Sequence, residues 1–196
     1  MKLLRGLGIL WRRLSEQGLG VTLWWAADHV VRIITGAPLR RVSQITPQLH
    51  VGGQYRRRGW ARMQARGVTA VVNMRVEFDD QKAGIAPPRY LYLRVVDDHA
   101  PTMEQLRAGC AFIAEEMARD GTVYVHCGSG IGRAATMAAA YLIDTGRSED
   151  EAWTLIRTSR PFIRPTPPQL EQIRRFAVEV EEGERSGLPK EGKDNG

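Results

Sequence analysis

Apolar positions along this chain change period several times, and each change marks an element. Leu3, Leu7, Leu10, Trp11 and Leu14 recur at helical spacing, with Arg5, Arg12 and Arg13 mostly off that face. A second helical stretch runs from about Val21 to Ile34 and carries Trp24, Trp25, Val30, Val31, Ile33 and Ile34. Its longest charge-free run, Gln17 to Ala27, falls far short of the roughly 20 apolar residues a membrane span needs. Trp11-Arg12-Arg13 interrupts any signal-peptide core, and no small-residue cleavage site follows.

Beyond Gly36-Ala37-Pro38 the period shortens. Leu49-His50-Val51 before Gly52-Gly53 reads as a short strand and turn, and Gly67 to Met74 and Tyr90 to Val96 read as buried strands. Thr102-x-x-Gln105 caps a helix that Asp120-Gly121 closes. A strand from Thr122 to His126, a glycine loop and a helix to Ile143 follow. Ser148-x-x-Glu151 caps another helix, and Thr166-Pro167-Pro168 starts the last. Strands separated by helices predict an α/β fold: a central, largely parallel (mixed) sheet flanked by helices, with an N-terminal helical extension. The expected division is an extension over 1–36, a body over 37–180 and a disordered polar tail over 181–196.

Composition adds two constraints. The only cysteines are Cys110 and Cys127, too few for a disulfide framework. A reducing cytoplasm is therefore expected, and a lone thiol is a nucleophile candidate. Charge is uneven. Residues 1–75 hold thirteen Lys/Arg against Glu16 and Asp28, a net +11. Such a front half favours anionic partners, and beside Leu and Trp it suits peripheral contact with an anionic membrane surface. Docking of these helices on the body is the competing reading. Scattered histidines offer no metal-ligand pair, no cofactor is called for, and no nucleic-acid motif accompanies the charge.

The chemistry concentrates in Val123–Ala140, where a β-branched run ends at His126-Cys127 and three glycines precede Arg133. A strand entering a helix through a glycine turn makes an anion cradle, because backbone N–H groups converge beside the positive helix N-terminus. Gly128, Ser129, Gly130, Ile131 and Gly132 supply that backbone, and Arg133 supplies a planar fork for two phosphoryl oxygens. The same positive field favours the thiolate nucleophile at Cys127.

His126-Cys127-Gly128-Ser129-Gly130-Ile131-Gly132-Arg133 resembles the H-C-x-x-G-x-x-R signature of cysteine-dependent protein tyrosine and dual-specificity phosphatases. The likeness extends from about Ile45 to Phe176, through "ITPQLHVGG", "VDDHAP" and "RPFIRPTPPQ", and favours the small dual-specificity branch. It implies that Cys127 attacks phosphorus, that Arg133 and the amides from Gly128 to Arg133 hold the equatorial oxygens, and that Asp98 is the general acid. Asp97 stands beside it as the alternative. His126 is then a structural partner of the loop, and His99 and Cys110 have no catalytic part.

One position departs from the family. Ala134 and Ala135 stand where a Ser or Thr usually follows the arginine, which puts turnover in doubt more than binding. The loop holds no lysine, so the resemblance implies a singly phosphorylated target: a phosphorylated protein or peptide. A membrane-associated phospholipid or small-metabolite phosphatase, and a non-catalytic phosphate-binding module, are the alternatives.

Overall fold

A computed structural model describes the backbone of residues 2–185, with side chains over 14–183. Helix α1 spans Lys2–Thr35 and is kinked at Gly18, where the backbone leaves helical geometry (φ 79°, ψ 169°). The two helical runs expected from the sequence are thus two arms of one element. Four strands follow, β1 (Leu49–Gly53), β2 (Val68–Asn73), β3 (Arg89–Tyr92) and β4 (Thr122–Cys127), in the order β1-β4-β2-β3. Every ladder between these strands is parallel, and one isolated antiparallel bridge joins Gln44 to His50 of β1.

Alternation along the strands splits the core. Val123, Val125 and Cys127 of β4, with Ala70 and Val72 of β2, face one side. There α3 (Met103–Met117), α4 (Arg133–Asp144), α5 (Glu149–Ser159) and α6 (Pro167–Arg185) close the main core. Val71 and Tyr124 point to the opposite face, covered by Tyr55, Ala37 and Met63 of α2 (Arg57–Gln64). Period two therefore places His126 under the thin layer, while Cys127 emerges on the helical side.

Both capping boxes form as written. Thr102 and Gln105 open α3, and Ser148 and Glu151 open α5. Three boundaries differ from the sequence reading. β3 leaves the ladder at Tyr92 rather than Val96, because the chain turns to bring Leu93 and Val95 into the core. A short helix that the sequence reading did not assign, α2, begins at Arg57. Finally, α6 continues to Arg185, so 181–185 are helical, while 186–196 lie outside the described residues.

Candidate active site

The loop between β4 and α4 is shaped by what holds its carbonyls. Gln54 N and Arg32 Nη1 donate to Gly128 O at 3.1 and 3.3 Å. Arg160 donates to Ser129 O (2.9 Å) and to Gly130 O (2.6 Å). Arg164 N donates to Ile131 O at 2.7 Å, and Thr136 N to Gly132 O at 2.9 Å. With successive carbonyls tied on the outside, the intervening amides face inward, the geometry of an anion nest. Cys127 Sγ already accepts a hydrogen bond from Gly130 N at 3.2 Å. Only glycine serves at 130: its φ is +69°, and a Cβ there would stand 2.2 Å from the Gly52 carbonyl carbon.

Arg133 begins α4, and its buried guanidinium is held on two edges. Glu77 binds it bidentately (2.8 and 2.9 Å), Asp97 Oδ1 meets Nη2 at 2.8 Å, and Nη1 donates to Val95 O at 2.8 Å. Its Nε is buried without a hydrogen-bond partner. Burial alone would lower the Arg133 pKa, but the bonds from Glu77 and the neighbouring charges of Cys127 and Asp97 leave it raised. Glu77 answers in kind: chiefly through its bond to Arg133, its carboxyl falls to about 2. The fixed guanidinium thus keeps one donor unpartnered, in a residue that lines the same cleft as Cys127.

His126 meets a buried acid. Its Nε2 lies 2.7 Å from Asp80 Oδ2, neither side chain being exposed, and Gln54 Nε2 donates to Asp80 Oδ1 at 2.7 Å. Tyr55 packs edge-on against the imidazole.

The segment carrying the candidate acids is pinned by α6 and the residues before it. Thr166 Oγ1 donates to Asp98 O (2.9 Å), and the buried Gln169 Nε2 donates to His99 O (2.9 Å). Asp98 takes a left-handed φ of 60°, which these two bonds hold in place. Asp97 and Asp98 both line the cleft above the loop, and it is Asp97 that bonds Arg133. Cys110 is buried in α3. The cleft, about 780 Å³, is also walled by Trp25, Arg75 and Arg164.

Five participants escaped the sequence reading: Glu77, Asp80, Asp28, Arg32 and Trp25. Glu77 and Asp80 belong to an acidic cluster just past β2, the one signal that pointed to them. Asp28 and Arg32 come from the extension. Asp28 Oδ2 pairs with Arg160 at 3.2 Å, so α1 braces the loop from behind.

Comparison with known proteins identifies the family. The family described as dual specificity phosphatase, catalytic domain, matches residues 49–179. The chain is 30% identical over 138 residues to mouse Dual specificity protein phosphatase 14, covering 68% of each. It is 35% identical over 125 residues to mouse Phosphatidylglycerophosphatase and protein-tyrosine phosphatase 1, covering 58% of this chain and 63% of that one. The solved structure of PTPMT1 in complex with PI(5)P superposes with a TM-score of 0.64 at 29% identity, covering 70% of this chain and 95% of that chain. The chain belongs to the dual specificity phosphatase family, whose members are cysteine-based phosphatases.

Proposed function

We propose that this chain hydrolyses single phosphomonoesters, phosphotyrosine on proteins or peptides first among them. The observation that carries this is the Cys127 thiol, already accepting from the Gly130 amide, in one cleft with Arg133, whose buried Nε has no partner. Cys127 Sγ attacks phosphorus as the ester oxygen departs, forming a cysteinyl phosphate. The amides and Arg133 hold the equatorial oxygens, where charge gathers. An aspartic acid of the 97–98 pair, Asp98 in our assignment, protonates the leaving oxygen. Returned to its carboxylate form, it takes a proton from the water that releases phosphate and restores the thiolate. Trp25 supplies an aromatic wall for an aryl leaving group. Arg75 and Arg164 are each paired to a carboxylate, Glu77 and Glu16, which leaves little free charge for a second phosphate.

A lipid phosphomonoester is the second reading, favoured by the relative named for phosphatidylglycerophosphate and by the neighbour that holds PI(5)P. Metal-free assays of phosphotyrosine peptide, p-nitrophenyl phosphate and a lipid phosphomonoester in vesicles separate the two. Turnover fastest on the peptide, abolished by Cys127→Ser, is expected. A preference for the lipid shifts the substrate class. Phosphate binding without turnover on any of the three leaves a binding module.

A further inference from the structure

Helix α1 is docked inside out. The side it turns to the body carries the buried Asp28, with Val21, Trp24, Trp25, Val31, Arg32 and Thr35 half-buried. The opposite side carries Leu19, Leu23, Val30, Ile33 and Ile34, exposed by 64, 60, 51, 44 and 67%. At 3.6 residues per turn these five fall within about 100° of arc, one unbroken stripe. Ordinary amphipathic helices bury such a stripe against their own domain. Here the stripe faces outward, and Asp28 to Arg160 and Arg32 to Gly128 O join the half-buried apolar side chains in docking the helix.

The surroundings of the stripe identify what covers it. The exposed Arg56, Arg57 and Arg58 adjoin its C-terminal end, where Arg58 donates to Ile33 O. Exposed Arg40 and Arg41 lie just beyond, with Arg41 stacked over Trp24. The two acids of α1 are both engaged, Glu16 with Arg164 and Asp28 with Arg160. Apolar side chains with a cluster of guanidinium groups at their C-terminal end complement an anionic lipid surface, where leucines enter the acyl boundary and arginines meet phosphates. A second copy fits poorly, since pairing two stripes would bring two basic front halves together. Among the described residues no helix is long and apolar enough to cross a membrane, which leaves the interfacial mode for α1.

We infer that the outer face of α1 seats this protein on anionic bilayers, through Leu19, Leu23, Val30, Ile33 and Ile34 with the Arg56–Arg58 cluster. The contact is independent of which phosphomonoester is cleaved. The test is sedimentation of the full chain with vesicles of equal parts phosphatidylcholine and phosphatidylglycerol, against phosphatidylcholine alone. Wild type sediments with the first and not the second, and releases as salt rises. Leu23→Ser with Ile34→Ser weakens binding by tenfold or more, about the effect of losing two buried aliphatic side chains. Arg56→Ser with Arg57→Ser weakens it about fivefold per arginine. Both variants keep wild-type turnover of soluble p-nitrophenyl phosphate, which certifies their fold; should the serine pair in α1 not fold, the arginine pair still decides. Wild type that ignores the anionic vesicles, or binds them equally after both changes, overturns the inference. So does a concentration-dependent dimer abolished by Leu23→Ser with Ile34→Ser, which would give the stripe to a second copy.

Discussion

Asp28 Oδ2 lies 3.2 Å from Arg160 Nη2, a fully buried ion pair joining the N-terminal helix to the residue that holds the Ser129 and Gly130 carbonyls. Removing one partner strands a charge in the interior. Asp28→Ala is therefore expected to cost roughly 3–5 kcal/mol of stability, read by urea unfolding. Replacing both, as Asp28→Leu with Arg160→Met, should recover much of that stability. It should not recover phosphate affinity, because the loop carbonyls lose their donors. Equal recovery of both would mean that Arg160 holds the fold and not the loop.

Glu77 acts on substrate only through Arg133. Glu77→Gln keeps the shape but weakens the fork, so the guanidinium gains freedom where its orientation matters. A fall in kcat/KM of roughly 10²-fold is expected, with stability nearly unchanged, since the Glu77 side chain is partly exposed. An unaltered kcat/KM in the variant would show that Val95 O and Met74 O suffice to position Arg133.

How legible these relationships were follows from their reach along the chain. The capping boxes at Thr102 and Ser148 are complete within four residues, so the sequence announces them. The loop from Cys127 to Arg133 is equally local. Asp80 meets His126 across 46 residues, Glu77 meets Arg133 across 56, and Asp28 meets Arg160 across 132. Those partners are selected by strand register, which pairs Asn73 and Gly52 with His126 and brings distant loops to the same sheet end. Helix α2 was hidden for another reason: with Gly59 and Met63 its only buried residues, its pattern is that of a charged surface. For α1 the sequence left docking and membrane contact open, because its exposed apolar stripe carries no sign of which residues of the helix meet the body.

His50 in β1 is buried, its Nε2 unpartnered, and burial followed by the charges of Arg40 and Arg66 lowers its pKa from 6.5 to about 4. The unfolded chain takes up this proton first. Stability is thus fully present above about pH 6.5 and is lost as pH falls toward 4, by up to roughly 3 kcal/mol. His50→Leu should flatten that slope in denaturant titrations from pH 7 to 4. A slope identical to wild type would place the sensitivity elsewhere.

Asp97 and Asp98 separate by their pH profiles. Asp97 is engaged with the Arg133 guanidinium, whereas Asp98 is held over the cleft in a strained backbone conformation by Thr166. Asp98→Asn is expected to lower kcat by about 10²–10³-fold and to erase the basic limb of the profile. Asp97→Asn should keep that limb and lower KM, because a negative charge leaves the phosphate site. Loss of the limb in Asp97→Asn instead would make Asp97 the acid and Asp98 its positioning neighbour.

Ala134 stands where a hydroxyl would reach the departing thiolate in the proposed second half-reaction. It is fully buried one residue past Arg133, and the nearest following hydroxyl, on Thr136, donates to Gly132 O at 3.1 Å. The thiolate leaving the cysteinyl phosphate is therefore met by the Gly130 amide without a side-chain hydroxyl from this helix turn. A donor at 134 would stabilise sulfur as it departs, at a gain near that of one hydrogen bond to a charged group, about 1.5–3 kcal/mol. Ala134→Ser is expected to raise kcat by about tenfold or more and to shrink the burst of p-nitrophenolate seen in rapid mixing. A loss of stability of about 1–3 kcal/mol with no change in burst or rate would show the new hydroxyl buried and unsatisfied. Hydrolysis of the intermediate would then be limited by the water and its base.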